Sequence, residues 1–380
     1  MNFLVKQYIR DNKNKIKHNY LSKQFYDYKK IFKKIEKVIK FGDYTLGNEV
    51  KIFENGFKKL QKSKYAIAVG SGTDAIMLSL KALGIKEGDE VITTPFTFYA
   101  TINAIVTSGA KPIYVDIADD FNIDPNLIEK KITKKTKAIV PVHWTGRICD
   151  MKKIKNISKK YNLKIVEDAC HSINAHRYGV YAGNFGDYGC FSMHPLKNLN
   201  IWGDGGVVVT NNKKLADKMY LLRNHGLINR DTNKIYGYNS RLDTIQAVVA
   251  NHLLKKIHFI TNSRIKNAKY LDKNLKELKN INVLRRDQSI KEVFHIYSLK
   301  AKKRDKLVNF LRRKGIDAKI HYPKPMHLQP ASKTINLKSE KFPKAEKACR
   351  ETFSLPVHEF IKKSDLDYMI NNIKNFYNEN

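Results

Sequence analysis

Lys197 lies in Gly-Cys-Phe-Ser-Met-His-Pro-Leu-Lys-Asn-Leu-Asn-Ile-Trp-Gly-Asp-Gly-Gly (189–206), with apolar Cys190 and Phe191 before it and Gly203, Gly205 and Gly206 after it. Most lysines of so basic a chain are solvated surface. This one, followed by the apolar run Val207–Val209, reads as held in a turn between two buried strands. An amine kept there sheds its proton more readily than one in water, and it can act as a nucleophile or Schiff-base former.

Three other stretches place useful groups where strands end. Val69-Gly70-Ser71-Gly72-Thr73-Asp74-Ala75 runs from a strand into a glycine-bearing turn that opens a helix. The free N–H groups around Gly72 and Thr73 and the helix dipole suit a phosphate, although Ser, Thr and Asp also cap ordinary helices. Lys164–Cys170 is an apolar strand ending in Glu167 and Asp168. A carboxylate at that edge needs a partner, which a helix cap or salt bridge would also supply. His171, taken alone, reads as a structural histidine. Thr94-Pro95-Phe96-Thr97-Phe98-Tyr99 is an aromatic strand exit, usually core, from which one ring could stack on a planar ligand. With Ser192 just upstream of Lys197, the joint set is a phosphate cradle, an aromatic face, a carboxylate and an amine. Those are the needs of pyridoxal 5'-phosphate: an anchored phosphate, a sandwiched ring, a protonated pyridine nitrogen and an aldehyde joined to lysine.

The elements that must position these groups follow from periodicity. Apolar runs at Tyr65–Val69, Glu90–Thr93, Pro112–Val115, Ala138–Val142, Lys164–Glu167, Gly189–Ser192 and Val207–Thr210 alternate with helical patterns such as Asp74–Leu83 and Met151–Tyr161. That alternation predicts an α/β fold whose mostly parallel sheet is covered by helices on both faces, with ligands beyond the carboxyl ends of its strands. Residues 241–280 read as long helix, and Val293–Lys300, Arg304–Lys314 and Asp317–His321 as strand, helix and strand of a smaller α+β domain. The expected division is 1–43 as a helical arm packing on the small domain, 44–258 as the large cofactor-binding domain and 259–380 as the small C-terminal domain.

The chain has 380 residues, is 42% hydrophobic with 20 Tyr and 18 Phe, and carries a net charge of +35. This composition describes a folded globular protein. No stretch approaches the ~18 apolar residues of a membrane span and the basic amino terminus lacks a signal peptide's apolar core, so a cytoplasmic protein is expected. Cys149, Cys170, Cys190 and Cys349 have no paired spacing, which predicts free thiols and no metal site. The lysines are dispersed, with no arm or nucleic-acid-binding motif. The charge instead favours phosphate-bearing small ligands.

The motifs resemble the DegT/DnrJ/EryC1/StrS family of pyridoxal-phosphate-dependent sugar aminotransferases, which have the fold of aspartate aminotransferase. The resemblance runs from about Tyr44 to Phe360 through Ser-Gly-Thr-Asp-Ala (71–75), Thr-Pro-Phe-Thr-Phe (94–98), Pro-Val-His-Trp-Thr-Gly (141–146), Glu-Asp-Ala-Cys-His (167–171), Phe-Ser-Met-His-Pro-Leu-Lys-Asn-Leu (191–199), Tyr-Asn-Ser-Arg-Leu-Asp (238–243) and His-Tyr-Pro-Lys-Pro-Met-His (321–327). It implies a large domain with a seven-stranded sheet. It further implies that Lys197 joins the cofactor aldehyde, Asp168 pairs with the pyridine nitrogen, Ser192, Gly72 and Thr73 hold the phosphate, and Phe98 stacks on the ring. His171 stands where many relatives have Gln, near the ring hydroxyl. Asn239 matches a residue reaching the phosphate of the neighbouring subunit, which implies a homodimer with shared sites. His321, Tyr322 and His327 occupy a loop that in relatives approaches the substrate, or the loop merely closes the small domain. Relatives that dehydrate a sugar at carbon 3 carry histidine at the lysine position, so Lys197 favours amine transfer. The implied reaction moves an amino group from L-glutamate to a 3-keto or 4-keto nucleotide-linked sugar. A cyclitol ketone or aminobenzoate precursor as acceptor, or a non-catalytic regulatory member that binds the cofactor, shares the same motifs.

Overall fold

A computed structural model describes residues 14–335 and 340–379. The first thirteen residues of the expected arm therefore lie outside the described residues.

The strands are β1 (Tyr65–Val69), β2 (Glu90–Thr93), β3 (Lys111–Tyr114), β4 (Thr136–Ile139), β5 (Lys164–Asp168), β6 (His176–Arg177), β7 (Val180–Tyr181), β8 (Tyr188–Ser192), β9 (Gly206–Thr210), β10 (Ile281–Asn282), β11 (Ile290–Lys291), β12 (Tyr297–Ala301) and β13 (Thr352–Leu355). Seven of them form one sheet in the order β1-β9-β8-β5-β4-β2-β3. It is parallel except for β9, which runs antiparallel to both β1 and β8. Strands buried on both faces explain the near-continuous apolar runs. Ala66, Ala68, Val207 and Val209 enter one core, and Ile67, Val69 and Val208 enter the other. On the first face helix Asn48–Gln61 buries Val50, Phe53 and Phe57, spaced to lie along one stripe. On the second face helix Gly72–Ala82 buries Ala75, Ile76, Leu78 and Leu80. A separate sheet, β10-β12-β13, and helices Arg304–Arg313 and Lys363–Asn378 enclose a third core.

Three local expectations change. Residues 241–280 are two helices, Thr244–Leu254 and Ile257–Leu275. The turn at Lys255–Lys256 redirects the chain so that Ile257 and Ile260 stay in the first core while Ala268, Leu271 and Leu275 enter the small one. Residues 317–321 form no strand. Lys319 makes a single bridge to Ser354, and Ile316 is bridged to Ile16; the sheet position instead goes to β13, whose residues are all buried. The arm also divides: Ile16 joins the small core, but helix Tyr28–Phe41 buries Ile31, Ile35 and Val38 in the first core of the large sheet. A helix with one apolar stripe packs wherever the complementary apolar surface lies, and here that surface is helix Thr244–Leu254.

Candidate active site

β1, β5 and β8 point the same way, so Val69, Asp168 and Ser192 come to one edge of the sheet. β9 begins at that edge, with Gly206 opposite both Val69 and Ser192. The Lys197 loop spans Met193–Gly205 and closes on itself, Met193 N–H donating to the Gly205 carbonyl (2.8 Å). This is the turn between buried strands that Lys197 requires.

Lys197 is half-buried. Burial pulls its amine below the ordinary lysine range, and the nearby Cys170 and Asp168 oppose that shift. Asp168 is 6% exposed. Its Oδ2 accepts from Thr101 Oγ1 (2.7 Å) and its Oδ1 from the Cys170 N–H (3.2 Å). The Thr101 hydroxyl also pairs with Thr97 Oγ1 at 2.7 Å. The carboxylate is thus fixed by a hydroxyl and a backbone amide, neither of which neutralises its charge, so it remains free to hold a cationic N–H.

Ser71 caps helix Gly72–Ala82, its side chain accepting from the Asp74 N–H (3.0 Å). Gly72 leaves space that no other residue could: a Cβ there would fall 2.7 Å from Ser192 Cβ and 3.1 Å from Cys170 Sγ. The helix N-terminus therefore packs directly against Ser192 and Cys170, a close approach that only glycine allows. Ser192 Oγ accepts from the His194 N–H (3.3 Å), which leaves its own proton to be donated. The first N–H groups of a helix, a donor hydroxyl, a carboxylate and an amine at one sheet edge fit the phosphate, pyridine nitrogen and aldehyde of pyridoxal phosphate.

Aromatic and imidazole rings form the wall facing the small core. Phe98 is half exposed, with its ring 5.2 Å from Tyr99 and 6.1 Å from Tyr322. Tyr322 packs 4.8 Å from Trp144, and burial followed by the nearby Asp168 charge pushes its phenol up. His171 lies 4.4 Å from His295 and 5.6 Å from Trp144. Its Nδ1 accepts from the Thr145 N–H (3.3 Å), so in the neutral ring Nε2 carries the proton. Burial holds His171 and His295 well below the usual range, and it takes His321 down to about 3.

Lys197, Asp168, Gly72, Thr73, Ser192, His171, Phe98, His321 and Tyr322 thus gather at one edge of the large sheet. Asn239 is exposed and bridged to Asn224; its neighbour Ser240 ties that loop to the cradle through Asp74 Oδ2 (2.7 Å) and the Gly70 N–H (3.0 Å). His327 does not join them. It pairs with Glu346 (3.3 Å) and packs on Tyr114 and Phe342. Sequence reasoning missed Thr101, Trp144 and His295. Thr101 follows Phe98 by three positions, one helical turn, which was the available signal; His295 lies far off in the chain and carried none.

Among the described residues, no helix is long and apolar enough to cross a membrane, and no group of three or more His, Cys, Asp or Glu could hold a metal ion. All four cysteines are free.

Residues 26–374 match the DegT/DnrJ/EryC1/StrS aminotransferase family. The chain is 38% identical over 361 residues to a pleiotropic regulatory protein of Geobacillus stearothermophilus, covering 94% of this chain and 97% of that one. It is 36% identical over 351 residues to the dTDP-3-amino-3,6-dideoxy-alpha-D-galactopyranose transaminase of Aneurinibacillus thermoaerophilus, covering 92% and 95%. The X-ray structure of S. venezuelae DesV in complex with a ketimine intermediate superposes with a TM-score of 0.92 at 33% identity, covering 95% of this chain and 98% of that one.

Proposed function

The chain belongs to the DegT/DnrJ/EryC1/StrS aminotransferase family, and on that premise we propose that it uses pyridoxal phosphate to move an amino group from L-glutamate to the keto carbon of a nucleotide-linked deoxysugar. The observation that carries the reading is the half-buried Lys197 amine and the Asp168 carboxylate sharing one sheet edge with the Gly72–Ser192 cradle. The 3-amino product named for the A. thermoaerophilus relative supports a ketone at carbon 3.

Pyridoxal phosphate, when bound, supplies an electron sink for the carbanion at the carbon bearing the transferred amine. The N–H groups of Gly72 and Thr73 and the Ser192 hydroxyl bind the phosphate. Asp168 holds the proton on the ring nitrogen, and Thr101 holds Asp168. Phe98 covers one ring face. Lys197 Nζ, its basicity lowered by burial, would bind the aldehyde at rest and in turnover take the proton from the donor's α-carbon. In the second half-reaction Lys197 delivers a proton to the former ketone carbon. Glutamate leaves as 2-oxoglutarate and the ketone leaves as an amine. His171 Nε2–H, with its tautomer fixed by Thr145, donates toward the cofactor's ring hydroxyl. His321 and Tyr322 contact the sugar nucleotide. Asn239 completes the phosphate site of a second copy, which makes the working unit a homodimer. Four free thiols suit the reducing cytoplasm.

The test is incubation with glutamate and a panel of 3-keto and 4-keto nucleotide sugars, products being identified by mass and NMR. Borohydride reduction followed by peptide mass analysis must place the pyridoxyl group on Lys197; finding it elsewhere, or nowhere, refutes the assignment. The regulatory name of the G. stearothermophilus relative gives a second reading, a cofactor-binding protein without turnover. Formation of 2-oxoglutarate with any keto sugar excludes it.

A further inference from the structure

Three side chains outside that site form a continuous hydrogen-bonded path from the small core to the backbone of Lys197. Asn200 Nδ2 donates to the Lys197 carbonyl (2.9 Å) and to Gln24 Oε1 (2.9 Å). Gln24 Nε2 donates in turn to Glu359 Oε1 (2.7 Å). Asn200 is 1% exposed and Gln24 8%, so a lost bond leaves a polar group largely shielded from bulk water. Glutamine suits the middle place because its carbonyl accepts from an amide while its NH2 donates to a carboxylate that only accepts.

Glu359 and Gln24 are each anchored. The turn bearing Glu359 is held by Asn267 Nδ2, which donates to the carbonyls of Val357 (3.2 Å) and His358 (3.0 Å), and by the His358 ring, which donates to the Lys17 carbonyl (3.0 Å). The segment leading to Gln24 is fixed to the small core through the Ile16–Ile316 bridge and through the His18 N–H, which donates to Asp317 Oδ2 (3.0 Å). The lysine-bearing loop itself belongs to the large sheet. The amino-terminal segment therefore lies between the two cores and touches the lysine through one amide.

We propose that Gln24 is a positioning residue for Lys197, and that residues 14–24 transmit the placement of the small core to the lysine-bearing loop through Asn200. The inference rests on the reading of Lys197 as the amine that holds the cofactor. Freed from Gln24, the Asn200 side chain turns away and the Lys197 carbonyl loses its restraint. The amine then shifts relative to Asp168, and a displacement of about 1 Å at a reacting group can lower turnover ~100-fold.

The test compares Gln24→Met, which breaks both bonds at similar length, with Gln24→Glu, which sets a second carboxylate against Glu359. The double variant Gln24→Glu with Glu359→Gln rebuilds the path with donor and acceptor exchanged, and Glu359→Gln alone closes the cycle. Four readouts are taken on protein loaded with pyridoxal phosphate: the pH midpoint of the absorbance of the lysine-bound cofactor, its rate of borohydride trapping, kcat against KM, and Tm. Both single variants at Gln24 should move the midpoint and lower kcat about tenfold with KM within about twofold, and the double variant should recover most of the loss. An unmoved midpoint and kcat in Gln24→Met, or a double variant no better than Gln24→Glu, overturns the inference. If Gln24→Met does not fold, the comparison between Gln24→Glu and the double variant decides. Wild-type protein that takes up no cofactor on Lys197 overturns the functional reading, and this inference with it.

Discussion

Five imidazoles lie around or behind the lysine, His358 buried and His18, His171, His295 and His321 half-buried, and their ionisation sets how the protein answers acid. Burial is the first cause for each: it takes His18, His321 and His358 from 6.5 to about 3 and holds His171 and His295 well below the usual range. Neighbouring positive charge adds to it, Lys319 for His18 and Arg264 for His358. Because the folded pKa lies below the unfolded one, the unfolded chain binds more protons throughout the window between them. Stability is then full above pH 6.5 and falls as the pH drops toward 3. For a shift of this size, lowering the pH from 6.5 to 5 costs on the order of 2 kcal/mol for each fully shielded imidazole, and less where water penetrates. Three such groups together approach the whole stability of an ordinary fold. The direct assay is proton uptake on unfolding in guanidinium at pH 5, read with an indicator dye. His18, His321 and His358 predict about three protons, with His171 and His295 adding in the same direction. Uptake near zero would mean that these rings are solvated in the folded protein, and the account of the wall around Lys197 would fail with them.

Other substitutions probe the site directly. Gly72→Ala puts a Cβ 2.7 Å from Ser192 Cβ; affinity for pyridoxal phosphate should fall at least about tenfold by absorbance titration, and thermal unfolding of the cofactor-free protein should shift downward as well. Thr101→Val strips the hydroxyl from Asp168 Oδ2 and should lower kcat about tenfold, with Thr101→Ser restoring it. His171→Gln, which can still donate, should retain activity within about tenfold, whereas His171→Leu should not. Phe57→Ala, deep in the first core, should cost ~3–5 kcal/mol in denaturant unfolding without moving KM.

The parallel sheet was legible because strands buried on both faces read as continuous apolar runs, and because Gly72, Asp168 and Lys197 each sit where such a run stops. Thr101 and Phe98 shared one signal, the turn after β2, yet only the aromatic stood out by type. His295 was not legible: what brings it to His171 is the backbone pairing of its own N–H with the Thr145 carbonyl (2.9 Å), a contact between distant segments. His327 was misleading for the opposite reason. It shares a loop with His321 and Tyr322, but the short turn Met326–Leu328 carries it to Glu346 instead. The packing of helix Tyr28–Phe41 depended on which core offered a matching apolar face, and one chain segment does not reveal that.

Helix Ile257–Leu275, which gives its first turns to one core and its last to the other, bears on how the chain can be divided. A cut before it would strip Ile257 and Ile260 from the large body, and a cut after it would strip Ala268, Leu271 and Leu275 from the small one. Neither fragment would keep a closed interior, so the two halves should melt together, and proteolysis should find its first sites in exposed loops such as the one at Ile228–Tyr236 rather than at a junction between autonomous modules. Swapping the C-terminal part between relatives would accordingly succeed only when the whole rod travels with one side and its apolar contacts are rebuilt on the other.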